Sequence, residues 1–383
     1  MMNNKVETIL ISPIPLPYDK IGSWTVMYSS YLKNNNSFNY IICPAPNGKF
    51  KVEYSFLKTQ STLNKIKNKL FGLDRFSNYF DALENIIDNS DKKYLIHIVD
   101  NSGLIIPLNN YLENNYHRKN FYIQYAYHGY DIIYGKSKGE EFFSCIEEMF
   151  FLTNSSYNAF LNYYNVFTPK VRVLHNGIDS NKFKLLENNN ENNVKKQLNI
   201  ENKTIFIWCS QDRPKKGLDF ILEIWIDIYN KYNNNIVLLI IGTKRTINIP
   251  GVINLGSVAN DLLPKYYQIS DIYLFPALWK EGFGLVLAEA LKCGCYCIAS
   301  NQGGIPEVLQ YGRLGRLIDG PNKKDNWIFA IEETIENLSS LGKKKSDENI
   351  DLNSLYNLDD WCKNITLYIE EAKESLSNRY LLS

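Results

Sequence analysis

The chain is predicted to be an α/β protein with two parallel-sheet domains. Short apolar strands alternate with helical segments along the chain, and this alternation is typical of parallel sheets joined by right-handed crossovers. The strand patterns at 7–12, 205–208 and 271–275 are largely apolar, as in a sheet buried on both faces. A length of 383 residues exceeds what one hydrophobic core usually holds.

The composition is typical of a soluble globular protein. Hydrophobic residues make up 45% of the chain, charged residues 22%, and the net charge is +1, so there is no basic excess of the kind that nucleic-acid binding requires. The longest apolar run, 236–242, is much shorter than a membrane span. The seven cysteines lack the spacing of a disulfide framework. With no signal-peptide pattern at the N-terminus, these features predict a cytoplasmic protein.

Three of the cysteines, Cys293, Cys295 and Cys297, alternate along the chain. Thiols at this spacing are spread along a strand rather than converging on one point, and no histidine lies nearby in the sequence. We therefore expect buried packing and no metal site here.

Residues 276–291 carry the strongest indication of a ligand site. Glu281 precedes a Gly-Phe-Gly turn, and an apolar helical run containing Glu289 follows. A buried strand, a glycine turn and a helix N-terminus together bind phosphate through free N–H groups and the helix dipole. A carboxylate at each end of such a turn suits a diphosphate flanked by two sugars, whose hydroxyls would satisfy a buried carboxylate. Taken alone, the pair also fits an ordinary first-turn acid and a solvated surface residue.

A cationic loop is predicted between the strand at 205–208 and the next helix. Arg213, Lys215 and Lys216 precede Gly217 in this loop. An arginine fork and a lysine point charge suit a diphosphate. A solvated basic loop would have the same composition.

Two features of the first half are further candidates. Gly22 and Ser23 open the first helix after a buried strand, where glycine permits a close approach of backbone to ligand and serine can cap the helix. His128 follows the predicted strand 121–127, at the edge where ligand crevices open in doubly wound sheets. Both also fit local roles, as a simple turn and as a histidine bonded to its neighbours.

The stretch 276–291 resembles the E-x7-E signature of retaining glycosyltransferases of family 4. Three further blocks resemble that family in the expected order: Asn176-Gly-Ile-Asp179 with Phe183, Lys216-Gly217, and Gly303-Gly304-Ile-Pro-Glu307. The resemblance implies the GT-B architecture, in which two Rossmann-like, doubly wound parallel-sheet domains face a central cleft. It predicts an acceptor-binding domain over 1–180, a donor-binding domain over 181–360, and a C-terminal helix over 361–383 that packs back across both.

The resemblance also implies roles for single residues. Glu281 would contact the transferred sugar, Glu289 the ribose, and His128 would lie beside the donor sugar. Lys216, with Arg213 as the nearest equivalent of the family's arginine, would stabilise the leaving diphosphate. The predicted catalytic residues are Glu281, His128 and Lys216, and the predicted donor-binding residues are Arg213, Lys216, Glu289, Gly282, Phe283, Gly284, Leu285, Gly22 and Ser23.

The implied reaction moves a sugar, with retention, from a UDP- or GDP-sugar to an acceptor hydroxyl on a bacterial-type cell-surface glycan or glycolipid. No Asp-x-Asp triplet occurs in the chain, so we expect neither a metal nor another cofactor. Two other functions remain open. One is a nucleotide-sugar epimerase of GT-B architecture, although that class lacks E-x7-E. The other is a non-catalytic subunit that only binds nucleotide sugar.

A possible membrane contact lies at 58–72. Between Leu63 and Phe71 the apolar residues fall on one helical face and three lysines lie off it. A basic amphipathic helix of this kind binds anionic membrane surfaces. An ordinary surface helix fits the short pattern equally well.

Overall fold

The computed structural model describes residues 6–18, 24–34, 37–58, 75–88, 92–186, 191–338 and 351–379. It divides the chain into two compact units, Met1–His175 with Asp360–Ser383, and Asn176–Asp359. Gly22, Ser23 and the amphipathic pattern between Leu63 and Phe71 lie outside the described residues. The roles predicted for them therefore stay predictions.

The first unit is built on a seven-stranded parallel sheet with the strand order β3-β2-β1-β4-β5-β6-β7. Its strands are β1 (Val6–Ile11), β2 (Tyr40–Cys43), β3 (Glu53–Phe56), β4 (Lys93–Val99), β5 (Phe121–Ala126), β6 (Glu148–Phe151) and β7 (Lys170–Val173). Its helices include Trp24–Asn34, Ser77–Glu84, Ser102–Asn115, Lys136–Ser144 and Asn154–Tyr163. Every residue of β4 and β5 is buried, as expected for central strands of a parallel sheet.

The second unit contains a six-stranded parallel sheet with the order β10-β9-β8-β11-β12-β13. Its strands are β8 (Thr204–Cys209), β9 (Ile236–Ile241), β10 (Val252–Asn254), β11 (Ile272–Phe275), β12 (Tyr296–Ser300) and β13 (Gly315–Ile318). Its helices include Glu191–Leu198, Leu218–Tyr232, Leu263–Ile269, Leu285–Lys292, Ile305–Val308 and Lys324–Glu336. The predicted α/β fold with two Rossmann-like parallel sheets is confirmed.

Each sheet has a point where the strand order reverses. In the first unit it lies between β1 and β4, and in the second between β8 and β11. Loops that leave neighbouring strands there run in opposite directions and open a crevice at the carboxyl edge of the sheet. This position is where ligands are expected in both units.

The C-terminal helix, Leu358–Asn378, packs on the first unit. Trp361, Ile365 and Ile369 recur at the spacing of one helical face in the sequence, and all three are buried as this spacing predicts. The buried Lys93 ammonium donates to the carbonyl oxygens of Leu376 and Ser377 at 3.1 and 2.9 Å, and so caps the end of this helix. The expectation that the helix packs across both domains stays a prediction.

A chain of polar side chains runs through the interior of the first unit. Gln124 Nε2 donates to Glu148 at 2.6 Å, so its Oε1 is left to accept from His97 Nδ1 at 2.9 Å. His97 Nε2 then accepts from the Tyr28 hydroxyl at 2.7 Å. Arg172 Nε donates to the other Glu148 oxygen at 2.7 Å. The amide of Gln124 thus sets the tautomer of His97.

One expectation for the link between the domains is wrong. The polar and charged composition of residues 187–193 predicts an exposed segment between the domains or within a loop, but a helix begins at Glu191. Residues 187–190 lie outside the described part of the chain. The helix Glu191–Leu198 contains few apolar residues, so the sequence pattern gives little indication of a helix here.

The predicted burial of the cysteines is confirmed. All seven cysteines are free and buried, and Cys295 donates to the carbonyl oxygen of Tyr267 at 3.1 Å. In the ranges that the structure describes, no helix is both long enough and apolar enough to cross a membrane.

Candidate active site

Two of the predicted groups of the second unit, Lys216 and Glu281, meet where its strand order reverses. Lys216 ends a short turn of helix, Pro214–Lys216, in the loop that follows β8. Glu281 lies in the loop that follows β11, the neighbouring strand. Because parallel strands end at the same edge of the sheet, two loops far apart in sequence are brought together.

Lys216 and Glu281 form an ion pair. Lys216 Nζ lies 2.6 Å from Glu281 Oε1, and the two side chains are only 18% and 16% exposed. The ammonium also lies 5.9 Å from the centre of the Phe275 ring. A charge pair this sheltered from water is screened much less than a surface pair. Glu281 is therefore not an ordinary exposed acid of the first helical turn.

Backbone hydrogen bonds join this pair of loops to a third. Leu278 N–H donates to the Lys215 carbonyl at 2.9 Å, which joins the loops after β11 and β8. Gly304 N–H donates to the Glu281 carbonyl at 2.8 Å, which adds the loop after β12. The Lys216–Glu281 pair therefore rests on backbone that is bonded from both sides.

Two glycines of the sequence blocks are required by these close approaches. At Gly217, φ is 71° and a Cβ atom would lie 2.1 Å from the Pro276 carbonyl oxygen. At Gly303, φ is 63° and a Cβ atom would lie 2.6 Å from the Glu281 carbonyl oxygen. Any other residue would push the loops apart. Gly217 and Gly303 therefore support the ion pair by allowing the loops to approach closely, while Lys216 of the Lys-Gly block forms the pair itself.

The Gly-Phe-Gly turn lies directly before the helix Leu285–Lys292. Gly284 is the N-cap residue, and the first N–H groups of a helix have no acceptor within the helix. Phe283 is buried, whereas Gly282 and Leu285 are partly exposed. The turn thus presents backbone N–H donors and the positive end of a helix dipole beside Lys216, which is suitable for a phosphate.

Glu289 lies inside this helix and is buried, with 6% of its surface exposed. Its Oε2 atom has no hydrogen-bond partner among the described residues. Burial raises the pKa of the carboxyl to about 8, against the opposing charge of Lys182. Glu289 is therefore not a solvated surface residue. A buried carboxylate oxygen without a partner is the kind of group that a ligand hydroxyl completes.

Sequence reasoning missed several groups of this unit. The side chains of Asn176 and Tyr267 also carry buried polar atoms that lack a partner in the described structure. Lys182 lies within the block that links Asp179 to Phe183, yet only its neighbours were considered. Tyr267 sits in a short helix with no motif around it, so no pattern in the sequence indicated it.

The cationic loop after β8 is less uniformly basic than its sequence suggested. Asp212 accepts from the Thr243 hydroxyl at 2.5 Å and from Arg245 Nε at 2.8 Å. These contacts tie the loop to the residues after β9. Arg213 is exposed and has no ion pair in the described ranges. The structure therefore brings Lys216, but not the Arg213 side chain, into contact with Glu281.

His128 belongs to the first unit and follows β5. Its ring lies 5.9 Å from the Trp24 ring and 6.4 Å from the Tyr28 ring, measured between centres. Burial, with the nearby His97, lowers the pKa of His128 to about 3. The imidazole is therefore neutral at neutral pH, and it can exchange hydrogen bonds but carries no charge.

No cluster of three or more histidine, cysteine, aspartate or glutamate side chains that could hold a metal occurs in the part of the chain that the structure describes. The expectation of metal independence stays a prediction.

Comparison with known proteins supports a glycosyltransferase. Residues 189–349 match the family described as glycosyl transferases group 1. An uncharacterised 41.2 kDa protein of the cps region of Klebsiella pneumoniae is 31% identical over 155 residues, 39% of this chain and 42% of that protein. The lipopolysaccharide 1,2-N-acetylglucosaminetransferase of Salmonella typhimurium is 25% identical over 184 residues, 43% of this chain and 47% of that protein. The chain thus matches less than half the length of these curated relatives.

The structural likeness covers nearly the whole chain. The structure of HepE from Anabaena in complex with UDP has a TM-score of 0.73 and 14% identity, and covers 96% of this chain and 100% of that one. At this identity the likeness shows the fold alone. The two parallel-sheet units are those of the GT-B architecture of glycosyltransferases.

Proposed function

We propose that the protein is a retaining glycosyltransferase. It moves a sugar from a nucleoside diphosphate sugar, with UDP or GDP as the nucleotide, to a hydroxyl of a bacterial-type cell-surface glycan or glycolipid. The Salmonella relative named for a lipopolysaccharide transferase supports this class of acceptor. The HepE complex with UDP supports a uridine nucleotide.

One observation carries the proposal. The Lys216–Glu281 ion pair lies where the strand order of the second sheet reverses, and Glu289 follows on the next helix with a buried oxygen that lacks a partner in the described structure. The cation and the helix start suit a diphosphate, the first carboxylate suits the hydroxyls of the transferred sugar, and the second suits a ribose. A diphosphate at the turn competes with Glu281 for the Lys216 ammonium and frees the carboxylate for the sugar.

The chemistry then depends on positioning and charge. The bond between the anomeric carbon and the diphosphate oxygen breaks as the acceptor oxygen attacks from the same face. The acceptor proton passes to the leaving diphosphate. Lys216, with Arg213 and the N–H groups before Leu285, stabilises the negative charge on the leaving group. In this proposal these groups take the place of a metal ion, and His128 contributes a neutral hydrogen-bonding group beside the sugar.

The test begins with a thermal-shift screen of UDP- and GDP-sugars, since a bound donor stabilises the folded protein. The stabilising donor, labelled in the sugar, is then incubated with an extract of bacterial glycolipids, and NMR determines the anomeric configuration of the product. We expect transfer with retention in the presence of a chelator.

Several outcomes would contradict the proposal. An inverted product would exclude the retaining mechanism. Loss of activity in chelator that magnesium or manganese restores would exclude metal independence. Conversion of the donor sugar into its epimer would identify an epimerase, and donor binding without turnover with any acceptor would identify a binding subunit.

A further inference from the structure

The segment 351–358 lies against the candidate site, although its sequence gave no indication of this. The first contact comes from Lys292, the last residue of the helix that carries Glu289. Lys292 is fully buried, and its ammonium donates to the carbonyl oxygens of Leu352, Asn353 and Leu355 at 2.9, 2.9 and 2.7 Å. An ammonium has three hydrogens to donate, so all its donors are used to hold this segment.

The second contact is Tyr356. Its hydroxyl donates to the carbonyl oxygens of Val308 and Glu307 at 2.9 and 3.3 Å. Its ring meets the Phe283 ring edge-to-face, with 5.1 Å between the centres. The φ angle of Tyr356 is 52°, a region that non-glycine residues rarely adopt. Such a conformation persists only where the surrounding contacts maintain it.

The third contact holds the other side of the segment. Ile178 N–H donates to the Tyr356 carbonyl at 2.7 Å, and Leu358 N–H donates to the Ile178 carbonyl at 3.0 Å. The Ser180 hydroxyl donates to the Asn353 carbonyl at 2.9 Å. All these residues belong to the second unit. Tyr356 is thus fixed from both sides before it reaches Phe283.

The Gly-Phe-Gly turn has one side chain through which the rest of the fold can orient it. Gly282 and Gly284 offer no side chain to pack, whereas Phe283 is 2% exposed. We propose that Tyr356 is a positioning residue that sets the direction of the turn's N–H groups by holding the Phe283 ring. The inference rests on the proposed function, in which these N–H groups bind the diphosphate of the donor.

Three variants of the full chain test this inference. Tyr356→Leu removes both the ring contact and the hydroxyl, and Tyr356→Phe keeps the ring. Tyr229→Leu is the matched control, because Tyr229 is also partly buried, donates at 2.8 Å to Asn234, and packs against the Trp225 ring. Tyr229 lies on the helix Leu218–Tyr232 of the same unit. The readouts are hydrogen exchange of a peptide covering 282–288, affinity for UDP and GDP by calorimetry, and thermal stability.

We expect Tyr356→Leu to speed exchange of this peptide by about tenfold and to weaken nucleotide binding by about the same factor, as for loss of one aromatic contact and one hydrogen bond. Tyr356→Phe should restore most of both. The control should lose thermal stability to a similar degree without changing either readout. Unchanged exchange in Tyr356→Leu would show that the residue is only structural and would overturn the inference.

The two proposals can fail separately. If exchange at 282–288 responds as expected but neither UDP nor GDP binds the unaltered protein, the proposed function is wrong and the positioning contact stands. If nucleotide binds the unaltered protein and Tyr356→Leu equally well, the inference is wrong and the proposed function stands.

Discussion

One buried carboxyl group in each unit, Glu148 in the first and Glu289 in the second, shows a contrast in hydrogen bonding. In the first, His97 and Glu148 have no exposed surface, and each is bonded to neighbours on both sides. In the second, Glu289 is almost as deeply buried, but one of its oxygens lacks a partner in the described structure. Burying a polar group without a hydrogen-bond partner costs about 1–3 kcal/mol. The hydrogen-bonded chain of the first unit stabilises the fold, whereas the oxygen of Glu289 that lacks a partner is what led us to propose that this residue binds a ligand.

The largest effect is expected from breaking the chain of hydrogen-bonded side chains inside the first unit. Glu148→Ala leaves Arg172 and Gln124 without their buried acceptor, which should destabilise the first unit by about 3–5 kcal/mol. Glu371→Ala is the matched control, because Glu371 also pairs with Arg172 but has a side chain that is 38% exposed. It should cost about 1 kcal/mol or less. Urea unfolding followed by circular dichroism measures the free energy of unfolding of both variants. Equal losses of this free energy would show that burial does not distinguish the two carboxylates.

The next largest effect is expected from removing the Lys216 ammonium of the second unit. Lys216→Ala should lower transfer by about 10²-fold or more, the scale of lost stabilisation of a developing charge. Lys215→Ala is the control, because the neighbouring lysine is exposed and lies in the same loop. It should leave turnover nearly unchanged. Near-normal turnover of Lys216→Ala at saturating donor would contradict its proposed role at the diphosphate.

The two carboxylates of the second unit should separate in their kinetics. In the proposed function Glu281 faces the sugar that changes in the transition state, so Glu281→Gln should mainly lower kcat, by about 10–10²-fold. UDP affinity should be at least that of the unaltered protein, because the substitution frees Lys216 from its ion pair. In the same proposal Glu289 holds the ribose, which does not change during the reaction. Glu289→Gln should therefore mainly raise the donor KM and weaken UDP binding, by about tenfold.

Calorimetry with UDP and steady-state kinetics on both variants test the separate roles of Glu281 and Glu289. If Glu281→Gln loses nucleotide binding while Glu289→Gln keeps it, the two roles are reversed.

The smallest effect, when taken over a single pH unit, is an opposite response of the two units to pH, at most about 1.4 kcal/mol per group. Burial lowers the pKa of His97 to about 4 and of His128 to about 3. Below their usual pKa of 6.5 the unfolded chain gains protons that the folded unit excludes, so acid destabilises the first unit. Glu289 has its pKa raised to about 8. Its contribution to stability is complete below about pH 4.5 and is lost as the pH rises through 8.

The contribution of Glu289 to the pH dependence of stability is measured by unfolding the unaltered protein and Glu289→Gln between pH 5 and 8. The advantage of the unaltered protein over the variant should shrink as the pH rises. A constant difference across this range would contradict the raised pKa of Glu289. Imidazole signals followed by NMR should show that His128 does not titrate in the same interval.

Much of the second unit could be predicted because its signals are local. The strand at 271–275, the turn at Gly284 and the helix after it follow one another in the chain, so their chemistry can be seen in one stretch. The shorter strands β3, β6, β12 and β13 were not singled out. They contain charged, polar or small residues, whereas the equally short β11 is wholly apolar. Pairing with neighbouring strands, rather than an apolar run in the sequence, therefore decides their structure.

What the sequence by itself determined is the order of strands and helices, and the residue types at the ends of β8 and β11. These depend on hydrophobic periodicity and on turn chemistry, both of which act between neighbours in the chain. Only the tertiary structure decided which of those residues meet. Lys216 bonds Glu281 and Arg213 does not. Likewise Tyr356 reaches Phe283 from 73 residues further along the chain, because the direction in which each loop leaves the sheet is set by strand order and packing rather than by its own residues.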